Sequence, residues 1–296
     1  MELKQLKTFR AVAAELSFTR AAEVLSYAQS SVTAQIQDLE QQLGVPLFDR
    51  LGKRVTLTEA GKRLLYYSEK MLQLEAEARS VVPGNDEPSG TLRIGAPESL
   101  FTYRLPPILR EFRTRCPKVE LDFQRGQVCS ELRRAVMQGS LDVALLLDEP
   151  FQSDTLNIEH LLKERLCVIA EPNHPLTELE TVFSDDLAGE VLILTETGCS
   201  YRLLFEQQLH AAEVRPGVKL EFTSVEAIKQ NVMAGIGIAV LPEMAVRTEI
   251  ESGRMAALRW AGDELSVVTQ LAWHKDKWIS PALRIFMEIT NRLTRD

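Results

Sequence analysis

Two segments between residues 16 and 43 show the apolar spacing of helices with a break between them. Small and apolar residues over about 19–25 predict a short helix. Its alanines would allow another helix to approach closely. The run Ser26-Tyr27-Ala28 predicts the break. From Gln29 onward, apolar residues recur on one face at helical spacing, at Val32, Ile36, Leu39 and Leu43.

The opposite face of the second predicted helix carries short, uncharged polar side chains. They are Gln29, Ser30, Thr33 and Gln37. Two helices at a steep angle, the second with such a face, are typical of a helix-turn-helix. Side chains that both donate and accept hydrogen bonds suit base edges in the major groove. A solvated face on an ordinary surface helix is the alternative that this segment alone leaves open.

The next segment predicts a basic turn between short strands. Gly44 is expected to end the preceding helix, and Thr58 is expected to cap the following one. Between them lie three cationic residues, Arg50, Lys53 and Arg54, followed by a strand-like run. A basic loop after a helix-turn-helix is a wing, whose cations suit phosphates or the minor groove.

Residues 11–65 together resemble the N-terminal winged helix-turn-helix of LysR-type transcriptional regulators, almost without interruption. The resemblance is carried by Leu39-Glu40, Leu43-Gly44, Leu47-Phe48, Arg50, Leu57-Thr58 and Ala60-Gly61. It implies that the polar face binds double-stranded operator DNA and that the wing contacts the backbone or minor groove. Ala34 stands where many family members have arginine, so one base contact common in the family is not expected here.

A long helix is predicted over 59–81, within a linker assigned to 59–82. Its apolar positions recur at heptad-like spacing and include Leu64, Leu65, Met71 and Leu72. Such a seam needs a partner, and we expect it to pair two subunits, although packing on its own domain is the alternative. The resemblance implies a homodimer through 59–81 and a homotetramer. Prolines and glycines then predict a hinge over 83–90.

From Thr91 onward, strands alternate with helices, which predicts a mostly parallel sheet covered by helices. Residues 132–145 and 228–241 form a weak repeat at an offset of 96, each copy a helix, a glycine stop and a buried strand. Two such halves resemble the periplasmic-binding-protein fold that forms the family's effector domain. The predicted fold class is therefore an α+β multidomain protein. It comprises a winged helix-turn-helix (1–58), the linker helix, and a two-lobed α/β effector domain (91–296), with lobes at roughly 91–162 plus 266–296 and 163–265.

The cleft between the lobes is expected at the carboxyl ends of the strands, where helix N-termini supply hydrogen-bond donors. By resemblance, a small-molecule effector would bind there, and helix N-termini together with Arg202 would favour a carboxylate or another small anion. The expected contacts are Ser99, Thr102, Gln127, Ser200 and Arg202. Helix capping is the alternative role for Ser99 and the favoured one for Ser224. Arg202 could instead pair with Glu206, four residues on.

Cysteine usage leaves a second function open. Peroxide-sensing members of the family use a reactive cysteine in the region of Cys199, together with a second one nearby. No resolving cysteine follows Cys199 in the next segment, so we favour an ordinary cysteine that lines the cleft. The four cysteines show no metal-ligand spacing, and they suit a reducing cytoplasm.

Charge and composition narrow the function further. The chain carries 34 Lys and Arg against 42 Asp and Glu, a net charge of −8. Residues 1–58 hold seven basic and six acidic residues, so they carry +1 and the remainder −9. DNA binding should therefore depend on specific contacts made by the first domain and not on the net charge of the protein.

Other function classes find less support. The sequence shows no signal peptide, membrane span or catalytic motif, and it implies no cofactor. We therefore expect a cytoplasmic regulator that is not an enzyme. A solute-binding protein, which the second half alone would suggest, is the alternative. The N-terminal winged helix and the missing signal peptide disfavour it.

Overall fold

The structure is a computed structural model that describes residues 1–51, 54–81, 87–126, 128–261 and 265–295. The chain forms two units, one of Met1–Gly90 with Gln138–Ser140, the other of Thr91–Met137 with Leu141–Asp296. The first unit contains α1 (Leu3–Glu15), α2 (Phe18–Leu25), α3 (Gln29–Leu43), β1 (Phe48–Leu51), β2 (Arg54–Leu57) and α4 (Glu59–Val81). Half of the predicted hinge, 83–86, lies outside the described residues.

The predicted helix-turn-helix is confirmed. On α3, Val32, Ile36 and Leu39 are fully buried, whereas Leu43, at the end of the predicted stripe, is exposed. The break between α2 and α3 begins at Ser26, whose left-handed backbone (φ 54°) ends α2. Gly44 adopts the same left-handed conformation (φ 70°) at the end of α3. This backbone conformation favours glycine.

The wing is tied to the helices through its first strand. The ring of Phe48 on β1 packs against Phe9 at 5.3 Å and against Phe18 at 5.7 Å between centroids. The carboxylate of Glu40 on α3 accepts hydrogen bonds from the backbone N–H of Leu47 (2.7 Å) and of Phe48 (3.3 Å). One acidic side chain therefore sets where β1 begins relative to α3.

The start of α4 is fixed by two close contacts. As predicted, Thr58 caps the helix, because its hydroxyl accepts from Gly61 N at 2.9 Å. The same hydroxyl donates to the carbonyl of Pro46 at 2.8 Å. A Cβ on Gly61 would lie 2.1 Å from the carbonyl oxygen of Leu47, so only glycine fits at this crossing.

The apolar face of α4 differs from the predicted seam. Leu72 is only 4% exposed in the single chain, and Leu65 packs against the core of the first unit. Lys7 on α1 pairs with Glu75 at 2.9 Å. Leu65 and Leu72 of the predicted seam are therefore covered by the chain itself, whereas Met71 of the same seam is exposed. A neighbouring face instead leaves large apolar side chains exposed, namely Tyr67 (55%), Met71 (38%) and Leu74 (64%).

The second unit is an α/β fold around one continuous sheet. Its strands are β3 (Ser89–Ala96), β4 (Lys118–Arg125), β5 (Val143–Asp148), β6 (Leu156–Ala170), β7 (Val191–Leu194), β8 (Val218–Glu221), β9 (Ile238–Pro242), β10 (Ala256–Ala257) and β11 (Ser266–His274). Its α-helices are α5 (Glu98–Tyr103), α6 (Leu105–Arg115), α7 (Cys129–Met137), α8 (Ser200–Ala211), α9 (Val225–Met233), α10 (Glu243–Glu251) and α11 (Pro281–Arg295). Short 3₁₀-helices occupy Pro175–Glu178 and Ser184–Leu187. The strand order is β4-β3-β5-β11-β6-β9-β7-β8, with β10 beside β6.

Strand β6 belongs to both lobes. Its first part pairs with β11 as far as Arg165, opposite Ser266, and its second part pairs with β9 from Leu166, opposite Pro242. The pairs of β6 with β9, β10 and β11, and of β11 with β5, are antiparallel. The sheet is therefore mixed, whereas the sequence predicted a mostly parallel one. Each lobe keeps a parallel part, β3–β5 in one and β7–β8 with β7–β9 in the other.

The internal repeat is visible in the folded elements. Helices α7 and α9 begin and end 96 residues apart. Gly139 and Gly235, which follow them at the same offset, have φ values of 75° and 71°. Each glycine turns the chain from a helix into a buried strand, β5 in one lobe and β9 in the other.

Replacing Glu40 with alanine should destabilise the first unit, because two partly buried N–H groups lose their shared acceptor. We expect a loss of about 1–3 kcal/mol in the free energy of unfolding. Urea denaturation, with hydrogen exchange at residues 47 and 48, measures it. Glu23→Ala, an exposed glutamate on α2, is the control. Equal stability of the two variants would contradict this role for Glu40.

Candidate DNA-binding surface and effector cleft

The polar face of α3 is available to a partner. Gln29, Ser30 and Gln37 are exposed, and Thr33 is half-buried beside them. Helix α1 orients α3 from the opposite side. Gln5 donates to Asp38 at 2.5 Å, and the hydroxyl of Thr8 donates to Gln35 at 2.9 Å.

The wing is a two-stranded antiparallel ribbon, with Phe48 opposite Leu57 and Leu51 opposite Arg54. Lys53 lies outside the described residues, as do the side chains of Arg50 and Arg54. Their contacts with the DNA backbone or minor groove therefore stay predictions.

A cleft of about 30 Å³ lies between the lobes of the second unit. The first residues of α5, α7, α8 and α9 line it, so several helix starts point into one space. Of the predicted effector contacts, Ser99 and Ser200 line this cleft. Thr102 is exposed and, like Arg202, stands outside the described lining, while Gln127 lies outside the described residues.

Ser99 meets the other lobe. It is 2% exposed and lies beside the hydroxyl of Tyr201, the second residue of α8. Burial raises the pKa of Tyr201 well above its ordinary value, with Cys199 as a further neighbour. The alternative role of Ser99 as a helix cap is wrong, because Pro97 occupies the N-cap of α5.

Glu98 bridges the same gap at α9. Its carboxylate accepts from the hydroxyl of Ser224 at 3.3 Å and from the backbone N–H of Val225 at 3.2 Å. Ser224 occupies the N-cap of α9, but within the described residues its hydroxyl does not cap its own helix. The cap is supplied by a carboxylate from the opposite lobe. Sequence reasoning missed Glu98, whose only signal was its place just after a strand.

Thr195 presents an unsatisfied hydroxyl to the cleft. The residue is 5% exposed and lines the cavity, and its Oγ1 has no partner of hydrogen-bond geometry among the described residues. The Cys199 thiol interacts with it, but a thiol is a weak hydrogen-bonding group. A buried hydroxyl of this kind is suited to a polar group of a ligand or to water.

Arg202 supports the wall of the cleft. Its guanidinium donates to Glu221 at 2.6 Å and to Glu206 at 3.3 Å, and it also donates to the carbonyl of Thr195. Burial opposes ionisation of Glu206, but hydrogen bonds from Lys219 and Arg202 outweigh it and hold the pKa of this carboxyl below its ordinary value. The hydrogen bond from Arg202 likewise lowers the pKa of Glu221. This placement favours the ion pair with Glu206 over direct contact with an effector.

The structure brings Cys129 to the same cleft as Cys199, one from each lobe. Sequence reasoning missed this pair, because the two residues are far apart in the chain. Burial raises the pKa of Cys129 to about 12, and the neighbouring Asp148 adds to the effect. Burial also raises the pKa of Cys199. Both thiols are therefore protonated near neutral pH, which disfavours the thiolate chemistry that a peroxide sensor needs.

A winged helix-turn-helix followed by a two-lobed unit with a cleft defines a DNA-binding transcriptional regulator with an effector-binding domain. The chain belongs to the LysR family of these regulators. The model "Bacterial regulatory helix-turn-helix protein, lysR family" matches residues 3–62, and "LysR substrate binding domain" matches residues 85–294. No helix in the described ranges has the length and apolar character to span a membrane.

Known proteins resemble the chain along its length. An uncharacterized HTH-type transcriptional regulator, YwqM of Bacillus subtilis (strain 168), is 48% identical over 292 residues, 99% of each chain. Full-length CbnR in complex with its target DNA is 25% identical, with a TM-score of 0.67 over 99% of this chain and 100% of that one. The regulatory domain of Synechocystis PCC6803 CcmR, in complex with 2-PG, is 26% identical, with a TM-score of 0.63 over 70% of this chain and 99% of that one.

Replacing Arg202 with alanine should destabilise the second unit by about 1–3 kcal/mol, since two carboxylates and a carbonyl lose their donor. The pKa values of Glu206 and Glu221 are depressed in the fold, so their contribution is present above their unfolded pKa values and is lost as the pH falls. The difference between wild type and variant should therefore shrink in acid. Thermal unfolding at pH 7 and pH 3 measures it.

Arg247→Ala is the matched control, because Arg247 is exposed and pairs with Glu243 across one helical turn. An exposed pair of this kind contributes about 0.5 kcal/mol or less. If the two variants lost the same stability at pH 7, the supporting role of Arg202 would be wrong.

Proposed function

We propose that the protein binds a specific operator through Gln29, Ser30, Thr33 and Gln37, with Arg50, Lys53 and Arg54 on the backbone or minor groove. The observation that carries the proposal is the exposed, uncharged polar face of α3, held in place by α1. Such side chains pair with base edges and so read sequence, whereas the wing cations position the protein. CbnR, which binds its target DNA, shares the architecture.

Dimerisation would place two recognition helices on one operator. The exposed stripe of Tyr67, Met71 and Leu74 on α4 has the spacing of a helix-pairing seam, at intervals of four and three residues. Half-sites of a two-fold dimer lie about one helical turn of DNA apart, or a multiple of it. We infer a homodimer through this stripe, and a homotetramer on the resemblance alone.

A small anionic metabolite would modulate DNA binding from the cleft. The starts of α7, α8 and α9, the hydroxyl of Ser200 and the unsatisfied hydroxyl of Thr195 supply donors for an acidic ligand. Arg202 holds the Thr195 segment by donating to the carbonyl of Thr195. CcmR, whose regulatory domain is a structural neighbour, was solved with 2-PG. Regulation of this kind fits a cytoplasmic protein that is not an enzyme.

Replacing Thr33 with valine keeps the shape of the side chain but removes its hydroxyl. We expect a loss of about 1–3 kcal/mol in operator affinity, confined to one base-pair position. Operator fragments selected from random DNA, measured by fluorescence anisotropy at fixed salt, provide the test. Arg54→Ala should weaken binding to all sequences alike.

Ser31→Ala is the control for Thr33, because it removes a hydroxyl from the same helix outside the predicted face. Its operator affinity should equal that of the wild type. Equal binding of the wild type to selected and scrambled DNA would refute sequence-specific recognition.

Replacing Leu74 with aspartate should break the dimer, because a charge enters the apolar seam. The variant should sediment as a folded monomer at micromolar concentration and lose tight operator binding. Val24→Asp, on an exposed apolar residue of α2, should remain dimeric. A monomeric wild type, or a dimeric Leu74→Asp, would rule out this stripe as the interface.

A further inference from the structure

The helix starts around the cleft favour an acidic ligand. The charged side chains that line the cleft are also acidic and would repel it. Among the described lining residues, the two charged side chains, Glu98 and Glu196, are both acidic. The cation predicted for the site, Arg202, is held by two carboxylates outside the lining. An anion entering this cleft would meet repulsion unless one of the carboxylates moved away.

Glu98 already occupies an anion position. Its two oxygens accept from the Ser224 hydroxyl and the Val225 N–H at the start of α9. The first N–H groups of a helix have no partner within the helix, and the helix dipole favours negative charge there. A carboxylate from the opposite lobe thus fills the place that the acidic group of a ligand would take.

The cleft is narrow in this arrangement. Its space of about 30 Å³ corresponds to roughly two waters. Ser99 and Thr195 are buried in the wall of the cleft. Glu98 is half-buried and has a long, flexible side chain, so it can move more readily than these two residues.

We infer that Glu98 is a built-in competitor of the effector: it latches the lobes together at α9, and a small acidic ligand replaces its carboxylate there. The ligand's acidic group would accept from Ser224 and Val225, and a further polar group would reach the unsatisfied Oγ1 of Thr195. The inference rests on the proposed effector cleft. It identifies the ligand as a small acid with a second hydrogen-bonding group.

Malonate is a suitable probe, because it is a small acid with two carboxylates. Isothermal titration at constant ionic strength would compare full-length wild type, Glu98→Gln and Glu98→Ala. Each variant should bind malonate about tenfold more tightly than wild type, equivalent to about 1.4 kcal/mol. Glu180→Gln, which removes an exposed carboxylate remote from the cleft lining, should bind like wild type.

Hydrogen exchange gives a second readout. The peptide that contains residues 224–228 should exchange faster in Glu98→Ala than in wild type, because Val225 N–H loses its acceptor. Malonate should restore protection in the variant. The isosteric Glu98→Gln keeps the titration informative if Glu98→Ala fails to fold.

Equal or weaker malonate binding by Glu98→Gln, or no binding by any form, would overturn the inference. Tighter binding of putrescine to wild type than to Glu98→Gln would also overturn it, since Glu98 would then be a contact for a cation. Operator binding measured on the same samples distinguishes a failure of the Glu98 inference from a failure of the proposed function. Specific DNA binding without the malonate effect would refute the latch alone, whereas equal binding to scrambled DNA would refute the proposed function.

Discussion

The two lobes of the effector unit are held by shared backbone hydrogen bonds along β6, which changes partner from β11 to β9 between Arg165 and Leu166. A continuous strand prevents the lobes from separating but allows them to rotate about the point of exchange. Glu164, next to that point and 3% exposed, is fixed by Arg104 at 2.7 Å and by Thr269 at 3.1 Å. These contacts fix β6 beside the point where it changes partner.

The internal repeat explains why polar backbone groups gather in the cleft. The helices of the two copies, α7 and α9, both begin at the cleft, so donors from both lobes face one space. These donors need acceptors when they are buried. The chain supplies one from the opposite lobe, the Glu98 carboxylate. Glu98 thus satisfies the start of α9 and joins the two lobes at the same time.

The local pattern of the sequence was sufficient to predict helices and strands. It was insufficient to predict which distant residues contact one another. The stripe on α3, the glycine stops and the repeat depend on neighbours within a few residues, and all three appear in the structure. The first half of β6 was missed, because a strand buried unevenly along its length shows no clear alternation. The buried position of Leu72 and the meeting of Cys129 with Cys199 depend on residues distant in sequence. The contact of Arg202 with Glu221 was not predicted for the same reason, since Glu221 lies far along the chain from it.

A ligand can change the lobe angle only if it binds one arrangement better than the other. Driving such an equilibrium from 1:99 to 99:1 requires about 5.5 kcal/mol of differential affinity. A ligand that merely filled an open cleft would contact both arrangements and supply little of this difference. Competition for the start of α9 supplies it directly, because the ligand and Glu98 use the same donors. The arrangement latched by Glu98 then excludes the ligand, and the bound ligand excludes the latch. A single acidic side chain, at the start of α5, would in this way convert occupancy of the cleft into a change of conformation.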